Sequence, residues 1–200
     1  MKGSGLDLEG LASPLAGPFT VSVPPGSCLA ITGPSGSGKS LLLRLIAELD
    51  EGTGAVRLNG QDRSGMSARS WRASCPYVAA TPGFWAMTAA DHFDPEIRGR
   101  ARALATAMLF DEARFEAPVA LLSTGERQRI ALVRALVLDA PALLLDEPTG
   151  PLDQQATDAV ADILASRLSH GLSMVLVTHD RVLAGRLATD RREMRERRFT

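Results

Sequence analysis

Residues 33–40 read GPSGSGKS, and this octapeptide is the most informative stretch of the sequence. It matches the pattern G-x-x-x-x-G-K-[S/T] at every fixed position. The apolar run SCLAIT precedes it at residues 27–32, and LLLRLIAEL follows it at residues 41–49. A strand, then a glycine-rich turn, then a helix is the order that a phosphate-binding loop requires. The stretch therefore predicts an α/β fold in which the loop lies at the carboxyl end of a strand.

The residue types of this loop determine what it can bind. Its glycines let the backbone curl, so that successive N–H groups point at phosphate oxygens, and the dipole of the following helix adds positive potential. Lys39 is expected to reach the β- and γ-phosphates of a nucleotide, and Ser40 to ligate Mg²⁺. The predicted nucleotide-binding residues of this segment are Gly33, Pro34, Ser35, Gly36, Ser37, Gly38, Lys39, Ser40 and Leu41.

A second chemical signal lies in ALLLDE, residues 142–147. The apolar run is typical of a strand buried on both faces, and two carboxylates stand at its end. Because ligands of open α/β folds bind at the carboxyl ends of strands, we expect both carboxylates to lie beside the phosphate loop. Asp146 is then expected to bind Mg²⁺, directly or through water, and Glu147 to polarise an attacking water.

The rest of the chain alternates strands with helices. Further strands are predicted at residues 76–80 and 173–178, and a helix over residues 154–168, which together indicate a mostly parallel sheet. Residues 88–116 show helical spacing without a strand pattern, which favours a small helical lobe inserted into the α/β body. The basic tail RREMRERR, residues 191–198, is interpreted as a solvated helix end, with contact to anionic lipid as the alternative.

Composition limits the function classes. The 200 residues are 45% apolar and 22% charged, with a formal net charge of −1. This balance excludes a disordered chain and gives no general attraction to nucleic acid. The chain opens without a signal-peptide pattern and has no uncharged apolar run of about 18 residues, so we expect a soluble cytoplasmic protein whose membrane role, if any, is exerted through a partner. Cys28 and Cys75 match no metal-ligand spacing and are expected to be buried thiols.

Further motifs stand in a fixed order around these two signals. LSTGE occupies residues 122–126, LLLDEP ends at Pro148, and THD occupies residues 178–180. Together with the phosphate loop they resemble the LSGGQ-type signature, the magnesium-binding strand and the switch histidine of ATP-binding cassette ATPases. Thr124 and Glu126 replace the usual glycine and glutamine of that signature. Among relatives, the chain most resembles a short, single-cassette bacterial transporter subunit.

The resemblance covers nearly the whole chain and implies an architecture and a function. The architecture is one domain, residues 1–200, with a phosphate-loop core of RecA type, a small antiparallel β part, and an inserted helical subdomain at about residues 83–138. The function is hydrolysis of ATP, with Mg²⁺, to power a separate integral-membrane permease. The resemblance also implies a head-to-tail homodimer on ATP binding, no nucleic-acid partner, and a cytoplasmic location at the inner face of the cell membrane.

The same resemblance assigns roles to individual residues. Ser123 and Gly125, at the start of a helix, would close over ATP held by the phosphate loop of the partner. Glu147 would activate water in line with the γ-phosphate, His179 would hold that phosphate, and Asp153 would link the two sites. The expected catalytic residues are Lys39, Glu147 and His179, the metal ligands are Ser40 and Asp146, and the ATP-binding residues outside the phosphate loop are Ser123, Gly125 and Asp153.

Two further positions depart from the family pattern. Ala80 stands where the family has a glutamine, in the stretch YVAATP, and this removes a side-chain oxygen that a water would have to replace near Mg²⁺. The family also stacks an aromatic side chain on adenine. This chain offers only Phe19 ahead of the loop, and we expect Phe19 to pack under the sheet, which leaves Leu11 or Leu15 to cover the base.

Phe84 and Trp85 follow the predicted lobe boundary and allow two interpretations. They pack in the core, or they line a groove that accepts a short helix of a membrane subunit. Two alternatives to a transporter subunit also stay open: a cassette ATPase outside transport, and a module that holds ATP with little turnover. The intact catalytic residues argue against the second.

Overall fold

The structure is a computed structural model that describes residues 5–200; residues 1–4, which open the segment without a signal-peptide pattern, lie outside the described residues. The strands are β1 (Leu6–Ser13), β2 (Ala16–Val23), β3 (Cys28–Thr32), β4 (Thr53–Leu58), β5 (Gln61–Asp62), β6 (Tyr77–Val78), β7 (Ala142–Asp146), β8 (Ser173–Val177), β9 (Asp190–Arg195) and β10 (Arg198–Phe199). The helices are α1 (Lys39–Ile46), α2 (Ala68–Ser74), α3 (Pro95–Ala107), α4 (Thr124–Leu136), α5 (Gln154–Ser169) and α6 (Arg181–Leu187).

A six-stranded sheet positions the predicted site residues. Its strand order is β10-β9-β3-β8-β7-β6, and every neighbouring pair runs parallel except β9 with β10. Every residue of β7 and β8 is buried, which explains why both read as continuous apolar runs rather than as alternating patterns. The predicted α/β fold with a mostly parallel sheet is confirmed.

A smaller antiparallel sheet, in the order β2-β1-β4-β5, covers one side of α1. Its inward side chains, such as Leu6 and Phe19, form one core with the buried face of α1 and with alternate residues of the large sheet. Leu42, Leu43, Leu45 and Ile46 are the fully buried apolar residues of α1. The packing fixes α1, and therefore the loop that precedes it, against the carboxyl edge of the large sheet.

The segment between β6 and β7 is helical, as its spacing predicts. It holds α3, α4 and three 3₁₀ turns at Ala90–His92, Glu112–Arg114 and Val119–Leu121, and its only strand-like contact among the described residues is one bridge, Thr88 to Pro118. Its core includes Phe93 and Phe115, whose rings stack with centroids 5.6 Å apart. The subdomain boundary at about residues 83–138 stays a prediction.

The basic tail is a strand and a hairpin, so the interpretation as a helix end is wrong. β9 pairs with β3 in parallel, with Arg191 opposite Ala30, and β10 returns antiparallel to β9. Only Met194 of β9 is fully buried, whereas the charged side chains around it are in water. A strand with one inward apolar residue gives almost no periodic signal, and its charges are typical of strands near a sheet edge.

Three smaller predictions have clear outcomes. α1 ends at Ile46, before the predicted end at Leu49, because Glu48 adopts a left-handed φ of 57°. Cys28 and Cys75 are free and buried, and burial raises the pKa of each thiol to about 12. Across residues 5–200, no helix combines the length and the apolar character that crossing a bilayer requires.

Candidate functional site

The carboxyl ends of three neighbouring strands bring the predicted site residues together. Lys39 and Ser40 follow the loop after β3, Glu147 follows β7, and His179 follows β8. With Asp146 they line an open cleft of about 460 Å³. This volume suits a small-molecule ligand. The same cleft is lined by Ser35, Gly36, Gly38 and Leu41 of the predicted set, and Gly33, Pro34 and Ser37 complete the loop.

The loop holds its shape because glycine occupies the positions where other residues would fail. Gly33, Gly36 and Gly38 have φ values of 144°, 76° and 99°, which disfavour any side chain. A Cβ on Gly33 would also lie 2.2 Å from the Met194 carbonyl oxygen of β9. A Cβ on Gly36 would meet nothing within 4 Å. Gly33 is therefore required by the neighbouring strand, and Gly36 by its backbone angle alone.

The backbone and Lys39 leave donors free for an anion. The Lys39 ammonium donates to the carbonyl oxygens of Gly33 and Pro34, at 2.8 and 2.9 Å, which braces the loop. An ammonium has three N–H donors, so one of them has no partner within residues 5–200. Gly38 begins α1 without a side-chain cap, and the first N–H groups of a helix have no partner inside it. These donors fit a phosphate group.

The oxygen ligands present suit Mg²⁺. The Ser40 hydroxyl is exposed in the cleft, and the Asp146 carboxylate is 4% exposed at its floor. Mg²⁺ is usually held by one or two protein oxygens plus phosphates and water, which this donor set matches. The Tyr77 hydroxyl donates to Asp146 Oδ2 at 3.1 Å. Burial raises the pKa of Tyr77 well above its usual range, so the phenol stays protonated and can hold this carboxylate.

Glu147 and His179 form a pair at the cleft wall. The backbone N–H of His179 donates to Glu147 Oε2 at 3.2 Å, and His179 Nε2 lies 3.5 Å from Glu147 Oε1. Glu147 has a left-handed φ of 47°, and its own N–H donates to the Val177 carbonyl at 2.9 Å. Oε1 is buried and accepts no hydrogen bond within the described chain, so one carboxylate oxygen keeps its acceptor capacity unused.

The positions that depart from the family pattern also lie at or near the cleft. Ala80 is exposed in its lining. Leu11 is fully buried, so it cannot cover a base; Leu15 is 59% exposed at the cleft mouth. Phe19 is buried, as expected, and packs edge-on against Phe199 with ring centroids 5.0 Å apart.

Sequence reasoning missed Tyr77, which contacts Asp146 without lining the cleft, and Arg197, which does line it. Tyr77 pairs with Leu144 across β6 and β7, so the register places it two residues before Asp146 on the neighbouring strand. Only knowledge of that register could have linked them. Arg197 lines the cleft from the turn between β9 and β10. No sequence signal indicated it, because the tail was interpreted as a helix.

The predicted signature residues lie at the start of α4 and not in the cleft. Ser123 caps this helix: its Oγ accepts from the Glu126 N–H at 3.1 Å, and Glu126 Oε2 accepts from the Ser123 N–H at 2.7 Å. Burial alone would raise the pKa of Glu126, but these hydrogen bonds and the Arg114 guanidinium, 2.5 Å away, lower it. A Cβ on Gly125 would lie 3.0 Å from the Pro151 carbonyl, which explains the glycine.

Asp153 has a local structural role in the described chain. Its carboxylate caps α5 by accepting from the Ala156 N–H at 2.8 Å. Like Ser123 and Gly125, it is absent from the cleft lining. The single chain therefore brings together the phosphate loop, the two carboxylates and the histidine, and leaves the signature apart from them.

Phe84 and Trp85, the two aromatics after β6, differ: one packs in the core and the other lines a groove. Phe84 packs on the core of the helical segment, whereas Trp85 is 73% exposed. Trp85 lines a groove of about 660 Å³ between α2, α3 and α4. The Arg134 guanidinium lies 4.0 Å from the Trp85 ring centroid, and burial lowers the pKa of Arg134 to about 10, so the groove wall keeps its charge at neutral pH.

Comparisons with known proteins agree with this geometry. A family model described as ABC transporter matches residues 17–150. Protein STAR1 of Oryza sativa subsp. japonica is 36% identical over 169 residues, which cover 80% of this chain and 49% of that protein. The aliphatic sulfonates import ATP-binding protein SsuB 2 of Agrobacterium fabrum is 35% identical, over 89% of this chain and 71% of that protein. A solved ATP binding subunit of an ABC transporter superposes with a TM-score of 0.87 at 24% identity, covering 97% of this chain and 87% of that one.

These likenesses carry different weight. The structural match, at its low identity, shows the fold. The chain spans about half the length of the rice relative. The family model, however, covers well over half of this chain and includes the phosphate loop, the signature and the LLLDEP strand. This chain therefore belongs to the ABC transporter family of ATP-binding cassettes.

Proposed function

We propose that this chain binds and hydrolyses ATP and powers a separate membrane permease. One observation carries the proposal: the fold gathers Lys39, Ser40, Asp146, Glu147 and His179 around a single cleft. A phosphate loop alone would support any nucleotide-binding function. The carboxylate pair at the end of β7 and the histidine at the end of β8 add the groups that hydrolysis needs.

Each residue has a defined task in this proposal. Lys39 and the first N–H groups of α1 hold the β- and γ-phosphates, where their positive charge stabilises the charge that develops during cleavage. Glu147 accepts the proton of an attacking water through its free Oε1. His179 Nε2 lies 3.5 Å from that oxygen, and in this proposal the imidazole also contacts the γ-phosphate. Ser40 and Asp146 would hold Mg²⁺, which would neutralise phosphate charge when bound.

Glu147→Gln tests the catalytic assignment. The amide keeps the shape of the side chain but cannot take the proton, so we expect ATP affinity near that of the wild type and turnover at least about a hundredfold lower. Binding is measured by titration calorimetry and turnover by phosphate release. Glu51→Gln, at an exposed residue outside the cleft, should change neither. Wild-type turnover in Glu147→Gln would remove Glu147 from this role.

The proposed active unit is a head-to-tail dimer. Ser123, Gly125 and Asp153 lie outside the cleft of their own chain, yet Ser123 and Thr124 are exposed. A second chain could therefore place the α4 N-terminus over the phosphate loop of the first, as a second anion-binding helix end. The Glu147→Gln variant should accumulate this dimer in ATP, which light scattering would detect.

The groove at Trp85 is the proposed contact with the permease. An exposed tryptophan backed by a half-buried arginine has the character of an interface anchor. The occupant would be a short helix on the inner face of the membrane, which would place this chain at that surface. A multi-span membrane protein encoded beside this chain would support transport; its absence would favour a cassette ATPase acting elsewhere.

A module that holds ATP with little turnover is the remaining alternative. Ala80 is the feature that favours it, because the cleft lacks one side-chain oxygen. The Glu147→Gln comparison decides this as well. If the wild type binds ATP but releases no phosphate above an enzyme-free blank, the chain binds ATP without acting on it.

A further inference from the structure

Arg197 occupies a backbone position that favours glycine. Glu196 and Arg197 form the turn between β9 and β10, with φ values of 45° and 65°. Two successive left-handed residues in a two-residue hairpin turn are typical of asparagine and glycine. An arginine held in this conformation is disfavoured by its own Cβ. A strained residue that also lines a cleft points to a use for its side chain.

Contacts from two other elements fix Arg197 at the cleft mouth. The Gly17 N–H donates to the Arg197 carbonyl at 3.0 Å, and Arg197 Nη1 donates to the Leu15 carbonyl at 3.2 Å. A Cβ on Gly38 would lie 3.3 Å from Arg197 Cγ. The side chain therefore lies between the phosphate loop and the turn that joins β1 to β2.

The Arg197 guanidinium is available to a ligand. Its neighbours on the hairpin are paired: Arg195 lies 2.7 Å from Glu193, and Arg192 lies 3.4 Å from Asp190. Within residues 5–200, no carboxylate lies within ion-pair distance of Arg197. A guanidinium has five N–H donors in one plane, of which the contact with Leu15 uses one.

The strand order decides which part of a nucleotide would meet Arg197. In the large sheet, β8 and β7 lie on one side of β3 and β9 lies on the other. Glu147 and His179 follow β7 and β8, so the cleaved phosphate lies on that side. The nucleoside, at the opposite end of the phosphate chain, must extend toward β9. Arg197 and Leu15 stand there.

The structure assigns to Arg197 the role of the base platform, with its guanidinium plane against one face of adenine and Leu15 beside it. The assignment rests on the proposed ATP-binding function and extends it to the nucleoside end. Arginine can serve because its planar, weakly hydrated guanidinium stacks on aromatic rings. The family's aromatic is not available, because Phe19 is buried against Phe199. Every base has a face, so this platform discriminates little between ATP and GTP.

Arg197→Gly tests this assignment with a substitution that we expect the fold to accommodate. Glycine suits the left-handed φ, so the variant should unfold at or above the wild-type temperature. We expect its ATP affinity to fall about tenfold, from the loss of one stacking contact, and its affinity for inorganic tripolyphosphate to stay unchanged. Arg197→Lys should lose a similar factor, since an ammonium keeps the charge but lacks the plane. Arg198→Ala, on the same hairpin but outside the cleft, should bind both ligands as the wild type does.

Three results would separate the possible failures. Unchanged ATP affinity in Arg197→Gly would overturn the assignment. An equal loss for ATP and tripolyphosphate, restored in Arg197→Lys, would also overturn it by placing Arg197 on the phosphates. By contrast, a wild-type chain that binds neither ligand, or a Lys39→Ala variant that binds both as tightly as wild type, would contradict the proposed function itself.

Discussion

The two helix N-termini that the proposed dimer would bring together are built in opposite ways. The N-cap residue of α1 is Gly38, which has no side chain to cap the helix. The N-cap residue of α4 is Ser123, which forms a reciprocal capping box with Glu126. A helix end without a side-chain cap leaves its backbone N–H donors for a ligand. A capping box, by contrast, fixes the helix end with side-chain hydrogen bonds whether or not a ligand is bound. In the proposed dimer, nucleotide would therefore complete the first end, whereas the second end would be presented, already rigid, to the partner chain.

The largest effect should come from blocking the N-terminus of α4, which would face the second chain in the proposed dimer. Ser123→Arg puts a bulky side chain on the surface that would meet the phosphates of the second chain. We expect hydrolysis to fall on the order of a hundredfold, as when a transition-state contact is lost, with ATP still bound at the intact phosphate loop. Phosphate release and calorimetry measure the two. Ser67→Arg, at the cap of α2, controls for the loss of a serine cap.

A mixture of chains shows whether the action crosses an interface. Ser123→Arg and Lys39→Ala are each expected to be inactive alone. In an equal mixture half of the dimers are mixed and each has one intact composite site, so recovery could reach about a quarter of the wild-type rate if the sites act independently. Full activity of Ser123→Arg as a monomer would contradict the cassette mechanism.

The next largest effect is on the free energy of unfolding and concerns the phosphate loop that precedes α1. Gly33→Ala would drive a Cβ to 2.2 Å from the Met194 carbonyl, whereas Gly36→Ala has open space and only an unfavourable φ. We expect Gly36→Ala to lower the free energy of unfolding by about 1–2 kcal/mol, and Gly33→Ala to lower it by clearly more. Urea unfolding measures both. Equal losses would mean that β9 does not constrain the loop.

The sequence could predict the uncapped end because its determinants are local. The glycines, the lysine and the apolar runs of β3, β7 and β8 all lie within short stretches, and each structure follows from its own stretch. The side of the cleft lined by Leu15 and Arg197 could not be predicted in this way. β1 changes register near Leu11, which turns that side chain inward and leaves Leu15 outside. Arg197 lies in a hairpin whose single buried residue, Met194, gives no recognisable period.

Tyr77 illustrates a second limit of the sequence. Its hydroxyl reaches Asp146 only because β6 and β7 pair in one particular register, with Tyr77 opposite Leu144. A shift of one residue would turn the phenol to the other face of the sheet. The carboxylate itself was predictable from the end of an apolar run, and its orientation was not.

A smaller effect is expected at this contact. Tyr77→Phe removes the donor that orients Asp146, so the Mg²⁺ concentration for half-maximal hydrolysis should rise about threefold, with the maximal rate at saturating Mg²⁺ nearly unchanged. Hydrolysis measured across a Mg²⁺ titration checks it. Ala80→Gln is the opposite change, because it adds an oxygen ligand to the cleft and should lower the requirement. Unchanged titrations in both variants would show that neither residue lies near the metal.

The smallest effect concerns the capping box that holds the N-terminus of α4 in place. Hydrogen bonds from Ser123 and the charge of Arg114 hold the pKa of Glu126 below its ordinary value. A lowered carboxylate pKa contributes stability that is fully present above the unfolded-state pKa, about 4.3, and that is lost as the pH falls through the folded-state value. The charge of Glu126 therefore stabilises the start of α4 at neutral pH and ceases to do so in acid.

Glu126→Gln isolates that contribution, because the amide oxygen can still accept from the Ser123 N–H while the charge is gone. We expect the variant to be less stable than the wild type by about 0.5–1 kcal/mol at pH 7, and the difference to shrink as the pH falls through the folded-state pKa of Glu126. Urea unfolding at pH 7 and in acid measures it, with Glu112→Gln, at an exposed pair 3.6 Å from Arg102, as a control expected to show almost no difference. A difference that stays constant with pH would mean that hydrogen bonding alone holds the cap. In that case the N-terminus of α4, like that of α1, would depend on backbone geometry rather than on charge.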